Sequence, residues 1–317
     1  MAFGSLNRTL DGLSEPVLAH VGTSHGLTLA RWWAHWELRP ELLVPVLGLG
    51  LLYGLGWWRL RRRSGADAVS AWRLTAYGLG LGLILVALLS GIDALGEQLF
   101  LMHMVQHLLL MMGAAPLLLL ANPLPVLVWG LPARLRRAAT RPLRRGAAPR
   151  RLLAALATPQ VSLVAYIGLF WLWHVPAAYD AALTQPLVHD LEHVSFFGTA
   201  MLFWWHVVGA APRLHGAVTV SRRLVMLLVA FAFNEILAVA ISFAAAPIYP
   251  YYAAQARSQG ISVMDDQMIG GAIMWIPGGM MYGLAAILLI AGMLDRESRA
   301  ARAIAPPTVD ASAVARV

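Results

Sequence analysis

Two pairs of histidines carry the chemistry this sequence could perform. In QLFLMHMVQHLLLMM, His103 and His107 stand four residues apart, and in PLVHDLEHVSFF so do His189 and His193. Residues at i and i+4 share one face of a helix, so each pair presents two imidazoles a turn apart. Imidazole is the commonest metal-ligating side chain and suits copper and zinc. One such pair alone reads as core packing or a helix cap; two pairs, with His174 of FWLWHVPAAYD as a fifth histidine, read as a metal site. Asp190 and Glu192 are spaced to orient imidazoles through their second nitrogens. Met102 and Met104 flank His103 with thioethers, which favour Cu(I) and serve equally well as apolar packing. The 317 residues include no cysteine, which excludes disulfides, thiolate ligands, a CxxC redox pair and a cysteine nucleophile.

The elements that must hold these residues are apolar helices. Hydrophobic residues make up 59% of the chain and charged residues 13%, against about 45–50% and 25% in soluble domains. Seven segments, near 42–60, 74–92, 99–121, 155–176, 187–208, 222–246 and 267–293, are long enough to cross a hydrocarbon core about 30 Å thick as helices. The expected fold is all-α and polytopic, with seven transmembrane helices over 41–293, an external segment over 1–40 and a disordered cytoplasmic tail over 294–317. The opening MAFGSLNRTLDG lacks the apolar run of a cleaved signal and is expected to be retained.

All 24 basic residues are arginine, and 20 fall on the even connections and the tail, against Arg8, Arg31, Arg39 and Arg257 on the other side. By the positive-inside rule the N-terminus is outside and the C-terminus cytoplasmic. Position thus assigns the net charge of +8 to membrane edges and lipid headgroups rather than to nucleic acid. In this orientation span three runs inward, span four outward and span five inward, so His103, His107, His174, His189 and His193 converge at one depth near the outer face.

Other ionisable groups are ranked by the same depth. Asp265, Asp266 and Gln267 open span seven in the histidine layer; Asp266 is the better ligand candidate, and a helix-start cap is the competing role. Pro277 with Gly278 and Gly279 should break that helix near mid-membrane. Glu235, beside Asn234 in span six, reads as a hydrogen-bonded core group or as part of an ion route. His206 and His215 lie toward the cytoplasmic side, and His20, His25 and His35 lie in an N-terminal stretch without defined geometry. No Walker loop, dinucleotide fingerprint, G-x-S-x-G elbow or H-E-x-x-H occurs, so the sequence points away from an enzyme.

The runs HMVQHLLLMMGAAPLLLL, FWLWHVPAAYDAAL, VHDLEHVSFFGTAMLFWW and DDQMIGGAIMWIPGG resemble, in order and spacing, the CtaG-type cytochrome c oxidase assembly factors, a seven-span family. The likeness spans about residues 40–293. It implies a bacterial cytoplasmic-membrane protein that helps build or metallate a terminal oxidase, with copper as its metal, oxidase subunits as partners and an external copper donor. The family pattern falls on His103, His107, His174, His189, His193 and the Asp265-Asp266-Gln267 turn; Glu235 lies outside it. Two alternatives stay open: a copper transporter, which needs polar groups continuing inward, and a haem-binding membrane cytochrome, which needs two axial histidines.

Overall fold

A computed structural model describes residues 27–304, except 30, 66–68, 145, 215 and 255–258. The expectations for His20, His25, His215 and the segment after 304 lie outside the described residues. Every regular element in the described residues is helical, with one isolated bridge between Trp36 and Ser90.

The helices follow the apolar segments closely. They are α1 (Pro40–Ser64), α2 (Ala71–Leu89), the short α3 (Gly91–Gly96), then α4 (Phe100–Leu108) and α5 (Ala115–Leu120) joined through a π-helical stretch, Leu109–Ala114. After these come α6 (Pro123–Gly130), α7 (Ala133–Thr140), α8 (Ala148–Leu156), α9 (Pro159–Trp173), α10 (Pro176–Thr184) and α11 (Pro186–Val208). The last three are α12 (Val220–Ser242), α13 (Pro250–Ala254) and α14 (Val263–Ile304). Their starts carry the local chemistry helices need. Thr158 accepts from the Val161 N–H ahead of Pro159, Thr219 does the same for Arg222, and proline opens α1, α6, α9, α10 and α11.

Five of these are long and apolar enough to cross a membrane: α1, α2, the continuous run Phe100–Leu120, α12 and α14. The α8–α9 pair, bent by 55° at Ala157-Thr158, makes a sixth if counted as one span. Helix α11 has the length, 23 residues, but carries His189, Asp190, Glu192, His193 and His206, which keep its hydropathy below that of the other six. The polar side chains that make α11 interesting are what dilute its apolar signal.

Two expectations about span seven need correction. The helix is not broken at Pro277: α14 runs unbroken for 42 residues, past the expected limit at 293 to Ile304. The proline removes the N–H that Ile273 would have received. In the neighbouring turn the Asn234 amide of α12 donates to the Met274 carbonyl at 3.0 Å, supporting the backbone there. Gly278 and Gly279 admit this neighbour: a Cβ at Gly279 would stand 2.7 Å from Glu235 Oε1. Glu235, which also accepts from Asn234 Nδ2 at 3.4 Å, therefore belongs to the seam between α12 and α14.

The bundle has two chemically distinct ends. At one, Arg59, Arg61, Arg136 and Arg150 reach backbone carbonyls or aromatic faces around the loops. At the other, residues 27–29 and 31–39 fold onto the ends of α2 and α3, with the Glu37 N–H on the Leu89 carbonyl and Arg39 on Asp93 at 3.2 Å. The histidines lie at this second end, opposite the arginines, as their chain positions require.

Candidate metal centre

Helices α4 and α11 face each other and interleave their histidines. The rings of His103 and His107 are 4.3 Å apart, those of His189 and His193 4.2 Å, and across the helices His107 and His193 stand at 5.4 Å and His103 and His189 at 5.4 Å. Two donor groups result, each with its ligand atoms within 4.8 Å: His103, His107 and His193, all buried; and His103, His189 and Glu192, of which His189 is half-buried.

Glu192 is the residue whose position the sequence understated. Read as an outer orienting group, it lies inside the cluster, fully buried, with Oε2 3.5 Å from His103 Nε2 and Oε1 3.8 Å from His107 Nε2. Neither oxygen has a hydrogen-bond partner among the described residues, and neither does His107 Nδ1, His174 Nε2 or His193 Nε2. Buried polar atoms are nearly always paired, so a cluster of this many bare donors and acceptors marks a place built for something else. The available signal was H-x-x-E: Glu192 follows His189 by three residues and so shares its face. Asp190, one residue from that face, points outward and lies 3.9 Å from Arg39.

The outer contacts fix which ring nitrogen is open. Tyr252 donates its hydroxyl proton to the Gly96 carbonyl at 2.6 Å, so its oxygen accepts from His103 Nδ1 at 3.3 Å, and His103 turns Nε2 toward the cluster. His103 Nε2 and His107 Nε2 are 3.0 Å apart and share one proton in a hydrogen bond. His174 donates Nδ1–H to the Phe170 carbonyl at 2.6 Å, which leaves Nε2 bare. Tyr179 and Tyr249 pack at 4.2 Å beside it, and Tyr249 donates to the His174 carbonyl at 3.3 Å. These tyrosines were not singled out from the sequence: Tyr249 and Tyr252 come from the loop between the sixth and seventh apolar segments, where no periodicity points at a site.

His174 is not in either donor group. It meets His107 instead across a small cavity of about 30 Å³, lined also by Met104, Met111, Met112 and Met274. Of the two methionines beside His103, only Met104 faces this space; Met102 packs with Ile92, Leu95 and Leu99.

The Asp265-Asp266-Gln267 turn is divided among three tasks. Asp265 is the partner of the helix cap: Ser262 Oγ accepts the Asp265 N–H at 3.1 Å and the Asp265 carboxylate accepts the Ser262 hydroxyl at 2.7 Å. Asp266 accepts the backbone N–H groups of Phe100 at 3.0 Å and Leu101 at 2.9 Å, the otherwise orphaned first turn of α4. Gln267 receives the Ile248 N–H at 2.7 Å and donates to the Ile241 carbonyl at 3.2 Å. Asp266 thus lies outside both donor groups and acts on them through α4. His206 is occupied elsewhere, 3.0 Å from the Ala157 carbonyl. His35 lies 3.5 Å from Glu37, on the folded-over N-terminal stretch.

At the rim, Arg39 pairs with Asp93, whose other oxygen accepts from Gln106 on α4 at 2.5 Å. Burial pushes the Asp93 carboxyl up to about 6, and Arg39 pulls against it.

Comparison with known proteins bears on the same residues. The family model described as cytochrome c oxidase caa3 assembly factor matches residues 51–296. Curated relatives include an uncharacterized protein of Mycobacterium bovis and one of Mycobacterium tuberculosis, each 24% identical over 286 residues, 88% of this chain and 42% of the relative. An uncharacterized protein of Mycobacterium leprae is 21% identical over 276 residues, 86% of this chain and 41% of its own. The chain therefore spans less than half the length of the curated relatives it matches. No solved structure matches it. The matched region contains α4, α11 and most of α14, and with them every histidine of the cluster; on that match the chain belongs to the cytochrome c oxidase caa3 assembly factor family.

Proposed function

We propose that this protein takes up copper at the histidine end of its bundle and delivers it to a terminal oxidase under assembly, in a bacterial cytoplasmic membrane with that end facing outward. One observation carries the reading: His103, His107 and His193 bring buried donor nitrogens within 4.8 Å of one another, and the cluster keeps bare polar atoms that nothing else in the described residues satisfies. The donor chemistry fits copper, since imidazoles with thioethers nearby and no thiolate suit Cu(I) and Cu(II) better than iron–sulfur clusters. His103, His107 and His193 would hold the ion, with His189 and the buried Glu192 offering a second set of donors around His103. Copper supplies no reaction here; it is cargo. The chain's own work is to release the proton shared by the two Nε2 atoms as the metal enters, and to keep His103 oriented through Tyr252.

The haem alternative fits less well, because the cavity beside the histidines is about 30 Å³ while ligand pockets run to several hundred. A transport route would need polar groups continuing inward. Below the cluster the cavity is lined by methionines and reaches Asn234, which already holds the Met274 carbonyl.

Anaerobic titration of the purified chain with Cu(I) against a competing chelator tests the proposal. About one copper per chain is expected, with at least one proton released per ion, and loss of binding in a H103A/H107A/H193A variant that still migrates as a folded protein. A chain that takes up copper in neither valence, or a triple variant that binds it unchanged, would leave a metal-free assembly role.

A further inference from the structure

The arginine-rich end holds a second assembly of side chains without an assigned purpose. Helix α1 ends in WWRLRRR and meets the turn between α6 and α7. Arg59 is consumed there: its guanidinium donates to the carbonyls of Trp129, Gly130 and Leu131 at 3.2, 2.6 and 3.3 Å, neutralising the C-terminal end of α6. The next arginines are held differently. Arg62 stacks 4.2 Å over Trp58, and Arg63 and Arg136 lie 5.4 and 4.3 Å from one and the same ring, Trp129.

Stacking fixes a guanidinium plane while leaving its N–H edge available to two oxygens of a carboxylate or phosphate. Among the described residues the ion pairs formed by arginine involve only Arg39 and Arg299, so none of these three meets a carboxylate. They surround a groove of about 470 Å³. Among the described residues, three like charges gathered on two indoles around an open groove lack a counter-ion.

A separate feature says which anion. On α1 the exposed residues Val44, Leu47, Leu51, Leu55 and Trp58 recur every three or four positions, forming an apolar stripe that runs along the helix into the groove. An acyl chain matches the stripe and a phosphate matches the arginines. Neither a nucleic acid nor an acidic peptide would use both.

We propose that this groove is a binding site for an anionic glycerophospholipid, with the headgroup phosphate among Arg62, Arg63 and Arg136 and an acyl chain along the α1 stripe. Basic pockets beside membrane helices bind such headgroups, and each basic residue near an anionic surface contributes a factor of about five.

The test is native mass spectrometry of the full chain in a neutral detergent, with phosphatidylglycerol or phosphatidylcholine of the same acyl composition added. The wild type is expected to retain one phosphatidylglycerol in preference to phosphatidylcholine. R62Q/R136Q should bind it about twenty-five-fold more weakly, at a factor of about five per arginine, whereas R144Q/R151Q, which removes the same charge from the segment that follows α7, should stay within about twofold. Should the first variant not fold, A133E, which adds a carboxylate at the groove wall, is expected to abolish retention. Equal retention of the two lipids, equal loss in the loop variant, or unchanged binding in A133E would overturn the proposal. Complete displacement by millimolar inorganic phosphate would replace the lipid with a free anion, and displacement by an acidic peptide would replace it with a protein partner.

Discussion

Asp266→Asn and Asp266→Ala distinguish a helix clamp from a metal ligand. The Asp266 carboxylate, 1% exposed, receives two backbone N–H groups at the start of α4, at 3.0 and 2.9 Å. Hydrogen bonds to a charged group contribute about 1.5–3 kcal/mol each, and a buried donor left unpaired costs a similar amount. Alanine strips both N–H groups and should cost about 3–6 kcal/mol. Asparagine keeps one oxygen, at neutral strength, and turns an NH₂ toward the second N–H, for about 2–4 kcal/mol. At about 2–4 °C per kcal/mol for a chain of this size, thermal unfolding in detergent should fall by roughly 5–15 °C for D266N and further for D266A. Copper stoichiometry in the folded D266N protein should stay that of the wild type, because Asp266 belongs to neither donor group. The reasoning fails if D266N keeps its unfolding temperature and loses the metal.

Three further outcomes follow from the packing and the cluster. Glu192→Gln should weaken copper affinity by about 10–100-fold in a chelator competition while leaving the fold intact, the range seen when a group supporting metal ligands is lost; unchanged affinity would remove Glu192 from the site. Gly56→Leu should destabilise the chain by more than about 2 kcal/mol, read by thermal unfolding, because a side chain there collides with the Val126 carbonyl and the Gly130 N–H of α6; a tolerated leucine would show that α1 and α6 separate easily. Reporter fusions at Val317 and within the 176–186 connection should report opposite sides of the membrane, as the arginine distribution requires, and identical sides would overturn the common outer depth assigned to the histidines.

Much of the fold could be read from apolar length alone. The segments near 99–121, 187–208 and 222–246 reappear as Phe100–Leu120, α11 and α12 within a few residues, because a stretch that must satisfy its backbone in lipid has little choice but a helix. Periodicity also put His103 with His107 and His189 with His193. It could not reveal what lies between helices. Glu192 looked peripheral because its distance from His103 depends on how α11 is rotated against α4, a tertiary quantity. Tyr252 comes from a short helix between spans, where no pattern marks a partner for His103. The proline at 277 misled for a related reason: its local preference is to end a helix, and the Asn234 amide that supports the turn beside it is 43 positions away in sequence and adjacent only once α12 and α14 have packed.

The π-helical stretch at Leu109–Ala114 has its own logic. In that register a carbonyl receives the N–H five residues on, so Met111 faces Pro116, which has none; Trp204 of α11 donates to the Met111 carbonyl at 2.9 Å instead. One additional residue in a turn advances everything beyond it by about 100° around the helix axis. The half of the span that carries His103 and His107 is therefore out of phase with the half that carries Leu118 and Leu119, and the two are aimed separately: the imidazoles at His189 and His193 of α11, Leu118 at α1 and α2 among Val46, Tyr53, Tyr77 and Leu81, and Leu119 into the cluster that holds Phe203 and Trp204. Excising a single position between Leu109 and Ala114 would bring the halves back into phase, and with that shift the imidazoles could face their partners, or the leucines theirs, but not both together.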